Sequence, residues 1–300
     1  MADVITNVLI FCVVCISLFL IYIFLVLYYT SIKPPKANPK RFLKLRSKKS
    51  ENFNKKRILV ACIGDSITHG VYGVNYIKIL YERLKNSEYH YEFINAGING
   101  DLTVNILERL DEIIQCEPDI AILLVGTNDV NGSQGERAKI YEITKKIPKD
   151  PSFWTENRFK EDYSKIISKL NEETNAIIAI SSLPPIGEEP QTKAFNDSKQ
   201  YSGIIKNLST EFNVNYLPLN ETMIAQLDEN AHTPKFTYEK SNPMTMMKFI
   251  ILHYLGRSWE KISEKNGLQF LTDNLHLNKY GATVIVDLVE KFLNQHYQNE

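Results

Sequence analysis

A serine, a glycine, an asparagine and an aspartate–histidine pair stand where short apolar runs give way to polar loops. Ser66 lies in Ile63-Gly64-Asp65-Ser66-Ile67-Thr68-His69-Gly70. A hydroxyl at a strand-to-helix turn sits at the edge of a sheet, and the adjoining helix N-terminus favours negative charge there. That suits an attacking alkoxide and a tetrahedral oxyanion. Asp and Ser are equally ordinary helix N-cap residues, so this segment alone has a purely structural reading too.

Three further segments supply complementary groups. In Asn95-Ala96-Gly97-Ile98-Asn99-Gly100-Asp101, Gly97 lets a backbone N–H approach a ligand because no Cβ blocks it, or simply makes a tight turn. In Gly126-Thr127-Asn128-Asp129, the amide of Asn128 offers an uncharged donor of the kind an oxyanion needs, or closes an Asx turn. In Leu271-Thr272-Asp273-Asn274-Leu275-His276-Leu277-Asn278, one loop can present both Asp273 and His276. His276 is then a general base toward Ser66, with Asp273 orienting its ring. His69 competes as base, but it shares the turn of Ser66 and is expected at the rim of the site.

The elements that must position these groups are legible in the hydropathy pattern. Short apolar runs lie at 58–63, 91–94, 120–125, 176–181 and 214–217, and those at 58–63, 120–125 and 176–181 are nearly continuous and rich in Ile, Val and Leu. Strands buried on both faces look like this. Between them, residues 75–85, 104–115, 156–171 and 197–212 carry apolar side chains three and four apart, and a last helix is expected over 279–294. This alternation predicts an α/β fold with a five-stranded parallel sheet, in which ligands bind at the carboxyl ends of the strands. Two stretches fall outside the pattern, 131–155 and 225–267. The second, with Met244, Met246, Met247, Phe249, Ile250 and Ile251, is expected either as a lid or substrate wall or as extra core.

Taken in order, the four segments resemble the SGNH branch of the GDSL lipase/esterase family, over the chain from about residue 57 onward. The resemblance implies a flavodoxin-like three-layer sandwich with strand order 2-1-3-4-5. It implies a triad of Ser66, His276 and Asp273, and an oxyanion hole of the Ser66 N–H, the Gly97 N–H and the Asn128 side chain. It implies acyl transfer to Ser66 followed by hydrolysis, with no metal or organic cofactor. Two departures are visible: Asn274 stands where the family often has glycine, and the 225–267 segment is long.

Charge is zero overall, with 35 basic and 35 acidic residues, but unevenly spread. Residues 33–57 hold 11 Lys/Arg and one acid, Glu51, whereas 58–300 hold 24 basic and 33 acidic side chains. An acidic domain is not a nucleic-acid-binding surface. Residues 8–29 contain no charge and suffice for a transmembrane helix ending in Tyr28 and Tyr29. Basic residues follow the span and none precedes it, so the positive-inside rule predicts a cytoplasmic large domain, with an extracytoplasmic one as the alternative. The expected organisation is a membrane anchor at 1–30, an extended basic linker at 31–56 that touches anionic headgroups, and a hydrolase domain at 57–300. Cys12, Cys15, Cys62 and Cys116 form no disulfide framework, and the histidines show no metal-ligand spacing.

The leading expectation is a membrane-tethered serine hydrolase of carboxylic esters, with lysophospholipid-like acyl esters as substrates. An acetylesterase or thioesterase acting on a soluble substrate is the first alternative. A catalytically silent binding module that keeps the fold is the second.

Overall fold

The computed structural model describes residues 1–46, 56–227 and 234–297. Five strands form one parallel sheet: β1 (Arg57–Gly64), β2 (His90–Gly97), β3 (Ile120–Leu124), β4 (Ile177–Ser181) and β5 (Asn215–Leu217). Their spatial order is β2-β1-β3-β4-β5. The order reverses between β1 and β3, so the loops after these strands and after β2 open onto a common crevice.

Side-chain alternation along β1 divides the core into two layers. Ile58, Val60 and Cys62 face one side, where they meet α4 (Tyr76–Leu84), α11 (Leu219–Gln226) and α14 (Lys279–Tyr297). Leu59, Ala61 and Ile63 face the other, against α5 (Thr103–Glu108), α6 (Leu110–Ile114), α9 (Glu156–Glu173) and α10 (Lys193–Glu211). The period-two pattern of a strand thus builds a three-layer sandwich. The helix expected over 104–115 is two helices, interrupted at Arg109. The break lets the Arg109 guanidinium bond Asp101 and the carbonyls of Gly64 and Ala96.

Three short helices lie close to the strand ends: α3 (Ser66–His69), α7 (Thr127–Gly132) and α8 (Ala138–Thr144). The 225–267 segment contributes α12 (Pro243–Tyr254) and α13 (Trp259–Asn266); its residues 228–233 lie outside the described ones.

The N-terminal helix α1 (Ala2–Ser31) contains a 28-residue stretch, Val4–Ser31, that is apolar and long enough to cross a membrane. Its last turns are not free of the domain: Val26 is buried with Tyr72, Phe249 and Ile250. The segment after it departs from the extended form expected of a solvated linker. Residues Pro39–Arg46 are a helix, α2. Phe42 and Leu43 of α2 pack on the sheet's second layer, and the Ala37 carbonyl accepts the Asn95 N–H on the β2 edge. Apolar contact and edge pairing outweigh the charge density that argued for an extended chain.

Candidate active site

Ser66 begins α3, immediately after β1. Asp65 caps that helix by accepting the Ile67 N–H at 2.9 Å. His276 reaches the same point from the loop before α14. Thr272 N–H donates to the His276 carbonyl at 2.8 Å, and Leu271 bridges Leu277, so the chain doubles back tightly. Within this loop Asp273 Oδ1 accepts the N–H groups of Leu275 and His276. Asn274, at φ 74°, occupies the left-handed region the turn requires. Glycine and asparagine both tolerate that conformation, which accounts for asparagine here.

The outcome is a linear relay. His276 Nε2 lies 2.8 Å from Ser66 Oγ, and His276 Nδ1 lies 2.8 Å from Asp273 Oδ2. All three residues are buried. Burial alone would lower the basicity of His276, but the charge and hydrogen bond of Asp273, helped by Asp65, outweigh it and raise the imidazole above 6.5. Tyr72 packs edge-on against His276, with ring centroids 5.2 Å apart, and closes one side of the imidazole.

Ser66 and His276 open into a cavity of about 490 Å³ that Asn99, Gly100, Asn128, Tyr72 and Met246 also line. Asn128 is oriented by both ends of its amide. Its Oδ1 accepts the Tyr141 hydroxyl at 2.8 Å, and one Nδ2–H donates to the Asp101 carbonyl at 2.9 Å. Asn128 itself lines the cavity. Tyr141 in turn accepts from Asn131, which accepts from Tyr238.

Gly97 is placed differently from expectation. Its N–H donates to Asn95 Oδ1 at 3.0 Å, and it does not line the cavity. A Cβ there would lie 2.2 Å from the His69 nitrogen and 2.6 Å from the Thr68 carbonyl carbon. Gly97 therefore lets β2 touch the backbone of the turn that carries Ser66. The glycine of this loop that lines the cavity is Gly100, at φ 75°. Asp101 pins the loop by binding Arg109 at 2.8 Å and Lys145 at 2.5 Å. Gly100 was legible only as one of two glycines three positions apart.

Residues 62–284 match the GDSL-like Lipase/Acylhydrolase family. The chain belongs to that family. Membership makes it a hydrolase of ester bonds. Solved structures with the same fold include an acetyl xylan esterase, AlAXEase, 24% identical, with a TM-score of 0.54 over 79% of this chain and 100% of that one. An acetylxylan esterase from Geobacillus stearothermophilus is 15% identical, with a TM-score of 0.54 over 79% and 94%. A lipase/acylhydrolase from Enterococcus faecalis is 18% identical, with a TM-score of 0.52 over 80% and 96%. No curated protein matches the sequence.

Other parts of this GDSL-family site escaped the sequence reading. Glu188, after β4, accepts the N–H groups of Gln269, Phe270 and Leu271, just ahead of the loop with Asp273 and His276. Burial pushes its carboxyl up to about 7 despite those three bonds. Asp65 is similarly raised to about 7 by burial, against the Ile67 N–H, which lowers it. His69 pairs its Nδ1 with Asn99 Oδ1 at 2.9 Å, and it lines a second cavity, of about 560 Å³, with Lys33, Lys36 and Asn95. The 225–267 segment does wall the cavity that holds Ser66, through Asn242, Pro243, Met246, Met247 and Ile250. It also contributes core, through Trp259 and Ile262. Among the described residues no cluster of metal-ligating side chains is present.

Proposed function

We propose that the protein is a membrane-anchored serine hydrolase of amphiphilic carboxylic esters, working through an acyl-enzyme on Ser66. The observation that carries this reading is the unbroken contact from Ser66 Oγ through His276 to Asp273, with both hydrogen-bond distances at 2.8 Å. Neutral His276 donates Nδ1–H to Asp273 and accepts the Ser66 proton at Nε2 as the oxygen attacks the ester carbonyl. The resulting oxyanion is met by the second Asn128 N–H and by the N–H groups of Ser66 and Gly100, with Gly100 in the place first expected of Gly97. The Ser66 N–H begins a helix and has no intrahelical acceptor. Collapse expels the alcohol, which takes the proton from His276. Water then gives a proton to His276 and attacks the acyl-enzyme; as the bond to Ser66 Oγ breaks, that oxygen takes the proton back from His276, releasing the acid and restoring both residues.

The anchor reading draws support from how α1 ends. Leu27 and Ser31 line the catalytic cavity, and the Thr30 carbonyl accepts Asn99 Nδ2 at 2.6 Å. A helix built into the wall of the site suits a retained anchor better than a removed signal. The basic residues that follow α1 favour a cytoplasmic domain. Leu27, Met246, Met247 and Ile250 give the cavity an apolar wall suited to an acyl chain.

A fluorophosphonate reporter tests the nucleophile. The full chain in membranes should label covalently and Ser66→Ala should not; equal labelling of the two would overturn the assignment. Preference among p-nitrophenyl esters tests the substrate: strict selection of acetyl over longer chains would overturn the amphiphilic reading.

A further inference from the structure

We infer that α12 lies in the membrane interface beside α1, so that the catalytic cavity opens onto the bilayer and takes its ester directly from the adjoining leaflet. The inference rests on the reading of α1 as a membrane span and extends it to a second element. α12 carries exposed apolar side chains where a soluble surface would be polar: Met244 is 80% exposed, Met247 42%, and Leu255 at its end 54%. Among its residues only Lys248 is a lysine, arginine or acid. This face continues from α1. Tyr22 donates its hydroxyl to the Tyr254 carbonyl at 2.5 Å, and Val26 packs with Phe249 and Ile250.

Depth follows from helix geometry. The apolar stretch of α1 has 28 residues. At ~1.5 Å per residue it is about 42 Å long, whereas a hydrocarbon core is ~30 Å. Roughly 12 Å of α1 must therefore project beyond the core. Tyr22 lies about 13 Å before Ser31 along the axis. The excess is shared by the more polar ends, with Thr6 and Asn7 on one side and residues 28–31 on the other, so Tyr22 and Tyr254 lie about 7 Å inside the edge of the hydrocarbon. Tyr28 and Tyr29 then lie at headgroup level, as interfacial aromatics do. α12 must share the level of Tyr22, because Tyr254 is bonded to it. Lys248 has a stem long enough to carry its charge to the headgroups. Between the two helices, Leu27, Ser31, Met246 and Met247 line the cavity that holds Ser66. An acyl chain can pass from the leaflet to Ser66 along this wall without crossing water.

Site-directed fluorescence in phosphatidylcholine vesicles tests the placement. An environment-sensitive thiol probe is attached to the full chain at Met244→Cys, Leu255→Cys or Lys160→Cys, with Cys12 and Cys15 replaced by alanine. A fourth protein keeps Cys15 alone as reporter of α1. Blue-shifted emission and quenching by shallow spin-labelled lipid at 244 and 255, but not at 160, is the expected result. A Cys15 probe quenched by deep spin label, with 244 and 255 as wet as 160, would overturn the inference and leave the anchor standing. A probe at 244 shielded from water but not quenched by lipid would mean a protein covers α12, which also overturns it. A wet Cys15 probe would overturn the anchor and this inference together. In the same vesicles, Met244→Glu with Leu255→Glu should slow hydrolysis of a bilayer-dissolved long-chain ester about tenfold and leave p-nitrophenyl acetate turnover unchanged. Equal effects on both substrates would contradict the proposed path.

Discussion

The carboxylate of Glu188 holds the backbone N–H of Phe270 at 2.7 Å, and the same oxygen accepts Leu271 at 2.9 Å. This joins the loop after β4 to the loop that carries Asp273 and His276. A carboxylate with three backbone donors fixes a chain segment more firmly than turn propensity can.

Glu188→Gln should disturb that arrangement, because the amide offers one acceptor and brings two unwanted donors to the N–H groups. A loss of about 2–4 kcal/mol in unfolding free energy is expected. The folded carboxyl lies near 7 against an ordinary 4.5, so between those values the folded state binds more protons than the unfolded one. The contribution of this group to stability therefore falls as pH rises through that window. Urea titrations at about pH 5 and about pH 8 should show less pH dependence in the variant than in the wild type.

Asp273→Asn should lower kcat/KM by about 10³–10⁴, because the amide favours the wrong tautomer of His276. The wild-type acid limb should lie above 6.5, since His276 must be neutral to accept the proton and its basicity is raised. Removing the charge of Asp273 should move that limb to lower pH. A pH–rate profile of both proteins reads the shift, and an unmoved limb would contradict Asp273 as its cause.

Asn128→Ala should lower kcat by about 10²–10³ with KM little changed, as expected for a donor used in the transition state. Tyr141→Phe removes only the hydroxyl bonded to Asn128 Oδ1. It should cost about tenfold or less, because Asn128 keeps its bond to the Asp101 carbonyl. Steady-state kinetics on a soluble ester separates the two; a larger effect at 141 than at 128 would reverse the assigned roles.

Gly97→Ala should destabilise the fold by about 1–3 kcal/mol and slow fluorophosphonate labelling of Ser66. Its Cβ would meet backbone atoms of Asp65, Thr68 and His69 closer than 3.0 Å, and backbone cannot rotate aside. Normal melting and labelling in this variant would show that the nucleophile turn yields more readily than these contacts imply.

Much of this was readable along the chain. The five apolar runs became the five strands with ends shifted by only a few residues; the inner strands β1, β3 and β4 are buried almost throughout, which needs nearly uninterrupted apolar sequence. Ser66, Asn128, Asp273 and His276 were visible since each follows a strand or precedes the last helix. Glu188 and Tyr72 gave no such signal, as each acts on residues distant in sequence. At α2 charge and packing disagree: its Lys and Arg residues favour solvation, while Phe42 and Leu43 pack on the sheet's second layer.

The amino-acid order by itself determined the alternation of strands and helices, the apolar span of α1, and the supply of nucleophile, base and acid, since periodicity and residue chemistry are local properties. Only the tertiary structure decided that Gly100 and not Gly97 lines the cavity. Only it decided that the end of α1 shares a wall with α12. These are relations between segments tens to hundreds of residues apart, and packing and loop closure, not sequence spacing, determine which atoms finally face one another.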